Sequence, residues 1–207
     1  MVFQSEHTLN NLEHDIDISA KKVILKLIDE FGEISNMASD TYFRGSPIVI
    51  DVEHHEIHCG DSLTSNISID IPNSGSIDIL IITPNSTIKR YHFLPKIFFE
   101  SEIDYYLYED CVVTNNGTTI DSRNRNRADP QVSETEVSFF HTPIVTNVGT
   151  ELEHLHFAID RGSGGEQRST NEWILKNNSK YLIRVINSTT TNNYVTVKMN
   201  YYVQPGV

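Results

Sequence analysis

Leu182-Ile183-Arg184-Val185-Ile186, followed after the polar stretch Ser188-Thr189-Thr190-Thr191-Asn192-Asn193 by Val195-Thr196-Val197-Lys198-Met199, decides how this chain is to be read. Side chains alternate with period two, so each run has an apolar face and a wet face when extended. β-branched residues, which favour a pleated, half-buried surface, dominate both. The Ser/Thr/Asn stretch between them predicts a hairpin, and its second strand ends the fold. Just upstream, Asn177-Asn178-Ser179 separates Trp173–Lys176 from Tyr181–Asn187 and predicts a tight turn, because Asn tolerates the left-handed backbone.

Outward from this pair, short β-branched or aromatic runs alternate with Asn, Gly, Pro and Ser clusters. Strands are predicted over Ile48–His58, Ser65–Ile71, Ser76–Thr83, Tyr91–Glu100, Asp104–Val113, Glu136–Phe140, Trp173–Lys176, Tyr181–Asn187 and Tyr194–Tyr202. Many short strands and little helical periodicity predict an all-β fold, a jelly-roll-like β-sandwich with an extended N-terminal arm. The expected organisation is an arm over 1–21, a short strand or helix plus linker over 22–47, and the sandwich over 48–204. Val23–Ile28 suits a strand entering a turn at Gly32, while Val23, Ile24, Leu27, Ile28 and Phe31 also form a helical stripe. An internal echo, Val113-Thr114-Asn115-Asn116-Gly117-Thr118 and Val145-Thr146-Asn147-Val148-Gly149-Thr150, follows an aromatic strand each time. It reads either as two similar strand exits or as a duplicated hairpin.

The chain has 207 residues, 38% of them hydrophobic, enough for one sizeable core. Its 28 acidic against 16 basic residues leave a net charge of -12, which repels phosphate backbones and argues against a nucleic-acid partner. No secretory signal or membrane-length apolar run is present, so a soluble protein made in a cytoplasm is expected. Asn66-Ile67-Ser68 and Asn187-Ser188-Thr189 are then turn and loop chemistry rather than glycan acceptors. Cys59 and Cys111 lack zinc-ligand spacing and are expected to be small buried hydrophobes.

Glu53-His54-His55-Glu56-Ile57-His58-Cys59 gathers metal-capable groups. Helical spacing would face His54 and His58 to one ion, without the glutamate placement of H-E-x-x-H; strand spacing would put His54, Glu56 and His58 on one face. The strand, with these imidazoles at a subunit contact, is the expected form, and no cofactor or metal is assigned. His154-Leu155-His156, with Glu151 and Glu153, is expected on an exposed loop or strand edge. Gly162-Ser163-Gly164-Gly165 is a surface loop, since no Lys-Ser/Thr follows it. Arg123-Asn124-Arg125-Asn126-Arg127 alternates so that Arg123, Arg125 and Arg127 share a face when extended, which suits docking on an acidic surface of a neighbouring subunit. No serine elbow or phosphate-binding loop appears, and an enzyme is not expected.

His54 to Gly60 (H-x-x-I-H-x-G), Leu107-Tyr108-Glu109, Asn116-Gly117-Thr118, Asn124-Arg125-Asn126-Arg127, Gly162-Ser163-Gly164-Gly165 and Glu172-Trp173-Ile174-Leu175-Lys176 through Asn187 occur in an informative order. Together they resemble a family of small bacteriophage structural proteins commonly encoded beside capsid genes, over roughly Ile48 to Tyr202. The long acidic N-terminal portion and His54-His55 depart from that pattern. The resemblance implies a virion component at the capsid surface, a head auxiliary or decoration protein. Its partners would be the major capsid protein and copies of itself, in a trimer or other cyclic oligomer. A glycan-binding or host-attachment module, with Tyr42, Tyr105, Tyr106 and Tyr108 stacking on sugars, is the alternative. A metalloenzyme around His54 and His58 ranks last. Trp173 is expected in the core, where truncation costs about 3–5 kcal/mol.

Overall fold

The computed structural model describes residues 26–28, 34–36, 52–158, 165–168 and 172–205. The chain divides into two units, Met1–Asp51 and Val52–Val207. In the first, β1 (Lys26–Ile28) pairs antiparallel with β2 (Ile34–Asn36), Leu27 opposite Ser35. A strand, not the competing helix, therefore occupies the end of the Val23–Ile28 run. The arm expected over 1–21 lies outside the described residues, as does most of the Gly162–Gly165 loop.

The second unit begins with α1 (Val52–Cys59), then β3 (Ser62–Ile71), β4 (Ser76–Ile82), β5 (Lys89–Phe99) and β6 (Ile103–Glu109). Short strands follow: β7 (Val112–Asn115), β8 (Thr118–Ile120), β9 (Ser122–Asn124), β10 (Ser138–His141) and β11 (Ile144–Asn147). β12 (Thr150–Phe157), β13 (Gly165–Arg168), β14 (Trp173–Leu175), β15 (Lys180–Asn187) and β16 (Asn193–Pro205) complete it. One sheet has the order β13-β5-β16-β3-β9, with β14 also on β5, and the other β12-β6-β15-β4-β10-β8. All their pairings are antiparallel. The inward residues of both sheets form one core. Ile79, Ile81, Tyr105, Leu107, Ile183 and Val185 from one meet Leu63, Phe93, Val195, Val197, Met199 and Tyr201 from the other. Phe139 lies 5.6 Å from Tyr201 and Phe99 5.5 Å from Phe157, ring centroid to ring centroid, bridging the layers. The fold is an all-β sandwich.

The predicted terminal hairpin is not formed: β15 and β16 lie in opposite sheets, so Ser188–Asn192 bridges the layers instead of turning within one. The alternation that marks both strands is equally satisfied by a partner in the same layer or across the core. Buried asparagines hold this crossing. Asn187 Nδ2 donates to the carbonyls of Ile71, Pro72 and Thr191 at 3.0, 3.0 and 2.7 Å, tying it to the β3–β4 crossing. Asn193 donates to Ser101 O at 2.8 Å and accepts from Ser101 N at 3.0 Å, tying it to the β5–β6 crossing. The Asn177–Ser179 turn does form, with Asn178 at φ 51°, although it too joins the two layers.

The internal echo has a structural counterpart. β7 and β11 pair with each other as a ribbon, and their flanking strands correspond two by two. β6 pairs with β12 and β15 as β10 pairs with β8 and β4, while β4 and β15 pair at the centre. The predicted Asp104–Val113 strand is broken by Asp110 at φ 59°, and Thr142 at φ 52° breaks the equivalent exit. Asp110 N donates to Lys180 O and Thr142 N to Asp78 O, equivalent positions of the two central strands. Gly117 N and Gly149 N are capped by Asn115 Oδ1 at 2.8 Å and Asn147 Oδ1 at 3.0 Å. The whole arrangement is a pseudo-two-fold. Val113 and Val145 turn inward onto a second small core containing Leu80, Leu182, Cys111, Tyr108 and Phe140. Val112 and Ile144 point outward, 52% and 58% exposed.

Candidate functional site

The stretch from Ile48 to His58 was expected as a strand, but Val52–Cys59 is helical. Local chemistry explains the difference. Gly60, at φ 80°, donates to Ile57 O while Asp61 donates to Glu56 O, the paired closure that ends a helix at a left-handed glycine. Glu53, in the first turn, suits the positive end of the helix dipole. The face turned to the β3/β5/β16 sheet is polar. Glu53 accepts from Asn200 Nδ2 at 3.3 Å and from Arg125 Nη1, and Glu56 accepts from Gln204 Nε2 at 2.9 Å.

Helical geometry separates the three candidate ligands. Glu56 is buried against the sheet, whereas His54 and His58 are exposed, with their Nε2 atoms 3.1 Å apart. His55 and Cys59 form the neighbouring pair, Sγ to Nδ1 3.7 Å. Cys59 is exposed, contrary to expectation, because its helical position faces away from the sheet; Cys111 is buried as expected. Among the described residues no group of three or more His, Cys, Asp or Glu side chains is placed to hold a metal.

β9 ends at Asn124, so strand alternation does not run through the three arginines: Arg123 and Arg127 converge on Glu134 while Arg125 turns to α1. Arg123 pairs with Asp121 at 3.0 Å and Glu134 at 3.6 Å, Arg127 with Glu134, and half-buried Arg125 with Glu53. Carboxylates of the same chain therefore meet each guanidinium. Bonds from the Asn124 backbone and Arg127 hold the Glu134 carboxyl below its ordinary range.

Two clusters join residues that the sequence reading either did not name or named separately. His92 Nδ1 contacts the Glu172 carboxylate, to which Tyr202 donates at 2.6 Å, and the His92 and Tyr202 rings stack at 4.5 Å. Burial first, and the Glu172 bond second, keep the Tyr202 phenol protonated well above the ordinary tyrosine range. These groups fasten the start of β14 to the sheet. The second cluster lies on the outer side of β6 and β12, the latter an edge strand as expected for His154 and His156. Tyr108 stacks on Tyr106 at 5.8 Å and Tyr106 on His154 at 4.1 Å. Asp104 accepts from Ser188 Oγ at 2.5 Å and contacts His156 Nδ1 at 2.9 Å and His154 Nε2 at 3.4 Å. Burial pushes this carboxyl upward, but the bonds from Ser188, His156 and His154 together outweigh it and leave it below its ordinary range.

Of the other aromatics, Tyr105 is in the core, Tyr106 and Tyr108 are half-buried, and Tyr42 lies outside the described residues. Trp173 is packed against the core but only partly buried, so the penalty of a fully enclosed ring does not apply to it. No helix among the described residues is long and apolar enough to cross a membrane. Comparison with protein-family models and with curated proteins returns no match.

Proposed function

We propose that this chain is a non-catalytic structural protein of a bacteriophage particle, an auxiliary or decoration protein seated on the major capsid protein beside copies of itself. The supporting observation is the outward face of the β7–β11 ribbon, where Val112 and Ile144 are held exposed at equivalent positions of the pseudo-two-fold. Gly117 and Gly149, both at positive φ, follow the two strands of this ribbon at equivalent positions. Burying apolar surface on a partner contributes about 25 cal/mol per Å², and a shell repeats that gain at every symmetry-related copy. The ordered motifs from His54 to Asn187 supply the particle assignment, and the acidic surface disfavours nucleic acid as the partner.

The test is co-sedimentation with purified capsids that lack this chain. Saturable retention is expected, and Val112→Asp/Ile144→Asp should reduce it at least tenfold while circular dichroism stays unchanged. A chain that remains monomeric by light scattering and never co-sediments would remove the proposal.

The Tyr108-Tyr106-His154 row favours one second reading, a glycan-binding or host-attachment module. Flat rings beside the Asp104 carboxylate and Ser188 hydroxyl offer both stacking and hydrogen bonding to a sugar. On a glycan array, this reading expects a hit that Tyr106→Ala abolishes; an empty array leaves the capsid proposal alone.

A further inference from the structure

We propose that His54 and His58 form a two-imidazole chelate for a divalent transition-metal ion such as Zn²⁺, independently of the capsid assignment. The pair is one helical turn apart on α1, and both rings are open to solvent. Their Nε2 atoms are 3.1 Å apart, and their ring centroids 4.6 Å apart with planes at 76°.

These distances bear on how the two rings are set. A well-aligned N–H···N hydrogen bond directs the donor along its ring axis and the acceptor lone pair back along the other. Adding two ring radii of about 1.2 Å to the 3.1 Å separation would place the centroids roughly 5.4 Å apart. The observed centroids are closer, at 4.6 Å, so at least one ring is turned off that line and the contact is not a collinear hydrogen bond. With metal–nitrogen bonds of about 2.05 Å, a 3.1 Å bite corresponds to an angle of about 98° and a centroid separation of about 4.8 Å. The observed 4.6 Å fits that arrangement.

The chelate is also preorganised. Gly60 fixes the end of the helix, and Glu53 and Glu56 anchor its opposite side to the sheet. Neutral imidazole suits Zn²⁺, Ni²⁺ and Cu²⁺, and a chain of net charge -12 attracts cations. With no third protein ligand among the described residues, water completes the coordination. A bound ion would clamp one turn of α1 and so fix the helix that carries Glu53 and Glu56.

The experiment is calorimetric titration of Zn²⁺ into the untagged full-length chain at pH 7.5. One site is expected, weakened at least tenfold in His54→Gln/His58→Gln and unchanged in His55→Ala/Cys59→Ser and in His154→Gln/His156→Gln. In the wild type, zinc should shift the ¹⁵N ring resonances of His54 and His58. Wild-type affinity in a folded His54→Gln/His58→Gln variant, or its loss in His55→Ala/Cys59→Ser, would overturn the proposal. So would no zinc binding by the wild type.

Discussion

Two glycines show how little freedom the ribbon allows. A Cβ on Gly149 would lie 2.1 Å from Glu109 O, and one on Gly117 2.2 Å from His141 O, both at positive φ. The obstructing atoms are backbone and cannot swing aside. Gly149→Ala and Gly117→Ala should each cost about 2–3 kcal/mol in urea denaturation, with similar values because the two sites are pseudo-equivalent. Asp104 offers a second test. Its carboxyl has a folded pKa depressed below 3.8, so its contribution is present above that value and is lost as pH falls through the folded pKa. Asp104→Asn should therefore lower stability by about 1 kcal/mol at neutral pH, a modest figure for a partly exposed site, and the difference should vanish in strong acid.

Among the elements, α1 depends on charge where most helices depend on apolar packing. Arg125→Ala removes the donor that Glu53 shares with Asn200 and leaves a half-buried carboxylate, at a cost of about 1–2 kcal/mol. Hydrogen exchange should accelerate in α1 and remain slow in β16. The same polarity explains why the helix escaped the sequence reading: hydrophobic periodicity reports oily faces, and Glu53 and Glu56 are the residues turned inward. Gly60 after His58-Cys59 was the available signal. β3, β4, β15 and β16 were legible because Ile67, Ile69 and Ile71, or Val195, Val197 and Met199, alternate against polar neighbours. Alternation identifies a strand without identifying its layer, so the terminal hairpin was misassigned. Asn187 could be read as loop chemistry, but not as the knot of two crossings, because its partners Ile71 and Pro72 are distant in sequence. For the site, the His54/His58 pairing was legible only under the helical alternative. The Asp104 and His92 clusters assemble residues that no local spacing connects.

Across the second unit, the two sheets use pairings that are distant in sequence. β3 finds its neighbours in β9 and β16, and the pseudo-two-fold interlocks β6 to β8 with β10 to β12. Neither half can be lifted away intact, so the ribbon bearing Val112 and Ile144 belongs to the completed sandwich and not to a detachable hairpin. β16, the last strand of the sandwich along the chain, is wedged between β5 and β3 in the middle of its sheet. A ribosome making this polypeptide has therefore emitted nearly every other strand before the central one emerges. Nascent β3 and β5 must wait with open flanks until β16 arrives, so closure of this sheet is a late, long-range step that leaves two strand edges unpaired in the meantime.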